Sequence, residues 1–244
     1  MRHRRCKFKP FAAGHYAIKH IKAVQNILKN VLDWSEVWAL LIPLTFLYIR
    51  KKQPAFNKPV VIYVWMALIL NIAIDLTWKF RTKLPVQFQS NNYLYNIHSI
   101  VRLGLFSSYF IRLKQPFLTA TKKVIQLVFA GFVIVNFSIY QHFFDYWHFS
   151  SLLLSVEAAL LLFYCIQYYL FRINDDEEIS KKQPDLWIVT GLGIYVTVNF
   201  FIFLLYNKLA IHLQNFAVSL WNIHNITFII FCVFIAKAFY ESEL

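Results

Sequence analysis

The chain has 244 residues, of which 59% are hydrophobic and 19% aromatic, and its mean hydropathy is +0.48. Soluble globular domains contain about 45–50% apolar residues, so this composition indicates an integral membrane protein. Apolar runs fill nearly the whole length after residue 30 and leave no room for a separate soluble catalytic or sensory domain.

The formal net charge is +13, but the 25 lysines and arginines stand at the ends of apolar runs and do not gather on one surface. This distribution favours contact with anionic lipid headgroups and gives no indication of a nucleic-acid partner. The three cysteines lack a metal or redox spacing, and two of them, Cys165 and Cys232, lie deep in apolar runs. The sequence therefore predicts a lipid bilayer as the main partner and no cofactor.

A membrane-spanning helix needs about 20 mainly apolar residues. After a basic tail at residues 1–32, seven segments reach or nearly reach this length, and residues 33–244 form the predicted membrane domain. The predicted fold is an all-α membrane protein, a seven-transmembrane helix bundle with helices near 33–49, 59–78, 93–113, 124–141, 149–171, 185–206 and 215–239.

Lysine and arginine collect in the short cytoplasmic loops of membrane proteins, so their distribution predicts orientation. Twelve flank the predicted helices on the side that contains the carboxyl terminus, and four flank them on the other side. The count on the amino-terminal side rises from four to seven when the three lysines of the tail that are nearest to helix 1 are included. When all eight lysines and arginines of the tail are included, both sides have twelve. We therefore expect the amino terminus outside and the carboxyl terminus in the cytoplasm.

Polar residues inside the predicted helices share a common depth. Helix 3 carries His98 and Arg102 within its first ten residues, and helix 5 reaches Glu157 about eight residues in. Helices 2, 6 and 7 place further polar residues about 5–15 Å below the same amino-terminal-side interface, at a rise of 1.5 Å per residue. Since a charge at the bilayer centre costs at least about 2.5 kcal/mol, we expect Arg102 to pair with Glu157.

This shared depth predicts a polar cavity in the half of the membrane on the amino-terminal side. Taken singly, each buried asparagine or histidine has an alternative role, which is to hydrogen-bond a neighbouring helix. Arg102 favours a carboxylate or phosphate, so the predicted ligand is small and polar or anionic. The candidate ligand-binding residues are His98, Arg102, Glu157, Asn199, Asn222, His224, Asn225, Asn71, Asp75 and Tyr195.

The second half of the chain carries three short motifs. The first is an acidic residue, Glu157, after small residues in helix 5. The second is the pattern W-x-x-x-G-x-x-x-Y-x-x-x-N in helix 6, formed by Trp187, Gly191, Tyr195 and Asn199. The third is W-x-I-H at the start of helix 7, with Trp221 and His224. In these features helices 3 to 7 resemble an uncharacterised seven-helix integral membrane family common in Bacteroidetes. Helix 3 of that family usually reads I-Y-T-x-x-E, and this chain departs from it at His98 and Arg102. The resemblance implies a multi-pass protein of the bacterial inner membrane and a role in signalling.

The leading hypothesis is a sensory or ligand-binding, receptor-like bundle that acts through a signalling partner in the membrane. A small-solute transporter and a structural subunit of a membrane complex are the alternatives, although a transporter site belongs at the midplane and opens to both sides. A membrane-embedded metal hydrolase needs about three protein ligands, and no HExxH or comparable spacing is present. A retinal protein needs a lysine in the middle of helix 7, where the only lysine is Lys237 in the last turn. We predict no catalytic or metal-binding residue and leave an enzymatic role open.

Overall fold

The computed structural model describes residues 30–113, 119–145, 148–174 and 183–242, so most of the predicted tail at 1–32 lies outside the described residues. The described residues form helices and connecting turns and contain no strand, which confirms the all-α prediction. The α-helices are α1 (Ser35–Ile49), α2 (Lys58–Phe80), α3 (Asn92–Arg112), α4 (Thr119–Val135), α5 (Ser151–Ile173), α6 (Pro184–His212) and α7 (Gln214–Glu241). A π-helical turn (Asn136–Tyr140) extends α4, and helical residues 30–33 precede α1.

Five helical segments are long and apolar enough to cross a membrane, which identifies a multi-pass membrane protein. They are Ala55–Lys83 around α2, Ala120–Tyr140 around α4, and the helices α5, α6 and α7. Helix α1 is shorter, with 15 residues, and α3 has 21 residues but carries several polar side chains. Length and composition in the described ranges thus support five of the seven predicted spans.

The outer surface of the bundle is apolar, as a lipid environment requires. Helix α2 exposes large apolar side chains at intervals of three or four residues. They are Ile62, Trp65, Ile69, Ile72 and Leu76. Residues at this spacing share one helix face. The opposite face of α2 is buried and includes a polar side chain, Asn71. Helix α2 therefore exposes apolar side chains on its outer face and buries a polar one inside the bundle, as a helix surrounded by lipid does.

Six of the helices form a closed ring in the order α1, α2, α3, α5, α6, α7, in which α7 packs back on α1. Helix α4 lies outside this ring, against α3 and α5. Only 17% of its apolar span is buried, compared with 56% for α5, so α4 is a peripheral helix. Helices α1, α3, α5 and α7 begin at one end of the bundle, which we call the N-side, and end at the other, the C-side.

The largest boundary difference from the sequence prediction is in α6, which continues to His212 and does not stop at 206. The amide nitrogen Nδ2 of Asn207 donates to the carbonyl oxygen of Phe149 at 2.9 Å and ties this extension to the chain before α5. With 29 residues α6 is about 44 Å long, whereas the hydrocarbon core of a bilayer is about 30 Å thick. Helix α6 is therefore longer than the hydrocarbon is thick, and Leu213 alone joins its N-side end to α7.

The tightest contact between α6 and α7 is at Gly191, and it generates a stability prediction. A Cβ atom at Gly191 would lie 2.5 Å from the Cβ of Phe234, whereas a Cβ at Gly193 would meet Cys165 at 3.8 Å, an ordinary contact. We expect Gly191→Ala to lower the free energy of unfolding by about 1–3 kcal/mol because the two helices must separate. Gly193→Ala, the matched control, should leave it unchanged. Thermal unfolding of both variants in one detergent tests this, and equal midpoints would contradict it.

Candidate functional site

An ion pair joins α3 and α5 inside the ring. The Arg102 guanidinium donates through Nε to Oε1 of Glu157, and through Nη2 to Oε2 at 2.7 Å, so the contact is bidentate. Ser99 also donates to Oε2 at 2.7 Å, and Nη1 of Arg102 donates to the Tyr195 hydroxyl on α6 at 2.7 Å. Glu157 is fully buried and Arg102 is 5% exposed. The predicted pairing of Arg102 with Glu157 is confirmed.

A second polar group joins α1, α6 and α7 around His224. Its Nδ1 faces Oδ1 of Asn199 at 2.5 Å, and its Nε2 faces Oε1 of Glu36 at 3.1 Å. The Asn199 amide is oriented by its nitrogen, which donates to the carbonyl of Tyr195 at 2.7 Å and to the hydroxyl of Thr227 at 3.2 Å. The Asn199 oxygen is thus the acceptor for Nδ1 of His224, and the other ring nitrogen, Nε2, faces the carboxylate of Glu36. These contacts join α7 to α6 and to α1.

Both polar groups border a small enclosed cavity of about 20 Å³. A cavity of this volume holds about one water molecule. Two buried polar atoms in its lining have no hydrogen-bond partner among the described residues, Oδ1 of Asn71 and Nε2 of His98. The amide nitrogen of Asn71 already donates to the carbonyl of Glu36 at 2.8 Å, which leaves its oxygen as an open acceptor. The polar lining comprises Glu36, Asn71, His98, Ser99, Arg102 and His224.

A larger open space of about 640 Å³, which we call the vestibule, lies on the N-side of this cavity. Its polar lining includes Asp33, Asp75, Lys79, Asn92, Asn222 and Asn225. Tyr95 and Trp221 line both spaces and separate them. Their rings meet edge to face at 5.7 Å, and Phe149 packs against both at 5.6 and 5.8 Å. We call these three side chains the partition.

Towards the C-side, the cavity is closed by buried aromatic rings. Each ring lies one or two helical turns further towards the C-side than a polar residue of the cavity lining on the same helix. On α3 and α7, Phe106 follows Arg102 by one turn and Phe231 follows His224 by two. On α2, which runs in the opposite direction, Tyr63 precedes Asn71 by two turns. The Tyr63 and Phe106 rings are 4.9 Å apart, and the Phe106 and Phe231 rings are 5.8 Å apart. These three residues, the aromatic floor, are each at most 1% exposed, so solvent does not reach the interior of the ring at their level in the described structure.

The structure separates the ten predicted site residues into three groups. The cavity lining contains Asn71, His98, Arg102, Tyr195 and His224. Glu157 and Asn199 lie behind this lining and hold Arg102 and His224. The vestibule contains Asp75, Asn222 and Asn225. A role for these residues in binding a ligand stays a prediction.

Two residues of the site were missed by the sequence prediction, Glu36 and Ser99. Ser99 lies three residues before Arg102 and therefore on the same helix face, a spacing that indicates its contact with Glu157. Glu36 is the second residue of α1 and was not among the predicted polar residues, whereas His224 is the eleventh residue of α7. The two meet because α7 begins about nine residues, or about 14 Å, further towards the N-side than Ser35, the first residue of α1.

The predicted alternative of a metal hydrolase finds no support in the geometry. Within the ranges that the structure describes, no group of three or more histidine, cysteine, aspartate or glutamate side chains lies close enough to hold a metal ion. Glu157, a candidate zinc ligand, is instead held by Arg102 and Ser99.

Comparisons with protein-family models, with curated proteins and with solved structures gave no match to this chain.

The buried ion pair generates a second stability prediction. Arg102→Leu should lower the free energy of unfolding by about 3–5 kcal/mol because it leaves the Glu157 carboxylate buried without its cation. Arg102→Leu combined with Glu157→Leu should cost less, because no unpaired charge remains. Chemical unfolding of the two variants measures the difference.

The control for this prediction is Lys237→Leu, which breaks the ion pair with Glu241 on the C-side. That lysine side chain is 45% exposed, so the loss should stay within about 1 kcal/mol. A double variant as unstable as Arg102→Leu alone would contradict the assigned role of the ion pair.

Proposed function

We propose that the protein is a seven-span, receptor-like bundle of the bacterial inner membrane that binds a small ligand from its N-side. Two features support adding α1 and α3 to the five apolar spans. Residues 30–49 are helical except for a turn at Trp34 and reach about 30 Å, and α3 reaches about 32 Å. The polar residues that reduce the hydropathy of α3, Asn96, His98, Ser99 and Arg102, are buried, so they do not face lipid.

The observation that carries the proposal is the position of the vestibule directly above the polar cavity. Its volume of about 640 Å³ falls within the range of about 300–1,000 Å³ that is usual for small-molecule sites. The cavity below holds only about one water molecule, so the ligand sits in the vestibule unless the partition opens. A ligand that binds better when the partition is open would shift the bundle towards that conformation, which is the basis of a receptor.

The aromatic floor favours a binding role over transport, because a transporter needs a route from the site to the opposite side. A structural subunit would have no use for an open polar vestibule. The resemblance to the Bacteroidetes family, the signalling partner and the inner-membrane location stay predictions, and the charge distribution in the loops supports an outside N-side.

The topology prediction is tested by labelling single cysteines with a membrane-impermeant maleimide. Val86 and Arg112 are exposed and stand on opposite ends of α3, whereas Cys165 and Cys232 are buried. In a background with Cys6→Ser, we expect Val86→Cys to react in intact cells and Arg112→Cys to react only after the membrane is permeabilised. Labelling of both in intact cells would mean that α3 does not cross the membrane. The reverse pattern would place the N-side in the cytoplasm.

The ligand prediction is tested by native mass spectrometry of the full chain released from a mild detergent. We expect a reproducible added mass on the wild type and its loss in Asn222→Trp, which fills the vestibule. Asn215→Trp is the matched control, because Asn215 is exposed on the same helix and outside the vestibule lining. An added mass kept by Asn222→Trp, or a bare wild-type chain in several detergents and lipids, would overturn the binding role.

A further inference from the structure

The charged groups in the lining of the vestibule differ in depth. The lining contains two carboxylates, Asp33 and Asp75, and one cation, Lys79. Asp75 lies one helical turn deeper than Lys79, which is exposed at the end of α2. No ion pair joins Asp75 to Lys79 in the described structure, and Arg81 lies over the outer ring of Trp78 at 4.1 Å. The positive groups are therefore at the rim in contact with water, and the carboxylate of Asp75 is further inside.

Two buried acceptors in this lining have no partner among the described residues, Oδ2 of Asp75 and Oδ1 of Asn225. Asn225 is 2% exposed, and its amide nitrogen donates to the carbonyl of Leu32 at 3.0 Å. That bond fixes the amide orientation, so the oxygen and not the nitrogen is left open. An unsatisfied buried acceptor costs about 1–3 kcal/mol, and a ligand that donates hydrogen bonds or carries positive charge removes that cost.

The remaining walls of the vestibule are aromatic, with Trp34, Tyr95, Tyr206 and Trp221 among the lining residues. The faces of such rings attract cations, and alkylated ammonium groups are held in this way next to carboxylates. By contrast, the arginine that predicted an anionic ligand is already bonded to Glu157 and Tyr195 in the separate cavity. An anion in the vestibule would meet Asp33 and Asp75 with no compensating buried cation in the described lining.

We propose that the vestibule binds an organic cation, an amine or methylated ammonium group whose charge lies near Asp75 and Asn225 while its carbon atoms contact Tyr95 and Trp221. This assignment rests on the proposed function and names its ligand class. An inorganic divalent cation is a poorer fit, because no group of three or more acidic, histidine or cysteine side chains in the described residues lies close enough to hold a metal ion.

The test compares two probes of nearly the same shape on the full chain in detergent, choline chloride and the neutral isostere 3,3-dimethylbutan-1-ol. Binding is measured by thermal stabilisation against sodium chloride at equal ionic strength, and by tryptophan fluorescence, since Trp34, Trp78 and Trp221 line the site. We expect choline to bind at least about tenfold more tightly than the isostere, because its charge meets Asp75 and the rings.

Asp75→Asn keeps the shape of the side chain and removes its charge, and we expect about a tenfold loss of choline affinity. Asp145→Asn is the matched control, because it makes the same charge change at the N-side but outside the vestibule lining. Should Asp75→Asn fail to fold, Asp33→Asn at the exposed rim and the comparison of the two probes on the wild type still decide the question.

Equal binding of choline and its isostere, or unchanged choline binding in Asp75→Asn, would overturn the assignment. Stabilisation by acetate or phosphate in place of choline would do the same and would favour an anionic ligand. Any of these results would overturn the organic-cation assignment alone if native mass spectrometry finds an anionic or neutral molecule on the wild type that is lost in Asn222→Trp. The proposed binding function would then stand. A bare chain in that experiment, together with no response to choline, would overturn both.

Discussion

The arrangement of the bundle depends on the buried bidentate ion pair between Arg102 and Glu157. A lone charge facing lipid costs several kcal/mol, so both residues must point into the ring. Their contact joins α3 to α5, and the bond from Arg102 to Tyr195 extends it to α6. Three consecutive helices of the ring are therefore fixed in depth and in rotation about their axes by one guanidinium group. The carbonyl of Tyr195 also orients Asn199, which accepts a hydrogen bond from His224 on α7.

Charge in the interior is balanced close to where it arises. Glu157 neutralises Arg102, and Glu36 faces His224, so the ionisable side chains that line the small cavity face partners within the ring. In the vestibule, the carboxylate of Asp75 has no such partner among the described residues. The arginine of helix 3, Arg102, therefore stabilises the bundle, and less conspicuous residues of α2 and α7 face the open space.

Much of this structure is predictable because long apolar runs bounded by lysine, arginine and proline form helices in lipid whatever their neighbours. The contact of Arg102 with Glu157 is predictable too, since counting residues from a shared interface gives their depth. The extension of α6 to His212 was not predicted, because Asn207 and Lys208 interrupt the apolar run on which the prediction rested. Glu36 was missed because depth counting assumes that all helices start at one level. The separation of cavity and vestibule depends on helix rotation, which one sequence does not determine.

The energies of the contacts indicate where the bundle can change shape. The partition of Tyr95, Phe149 and Trp221 is held by ring contacts, each worth about 0.5–1.5 kcal/mol beyond the area that it buries. Breaking the ion pair of Arg102 and Glu157 costs about 3–5 kcal/mol when one partner is left unpaired. A change that connects the vestibule with the polar cavity therefore begins at the partition, while the ion pair and the aromatic floor keep the ring closed below it. This places the movable contacts on the N-side, next to the vestibule.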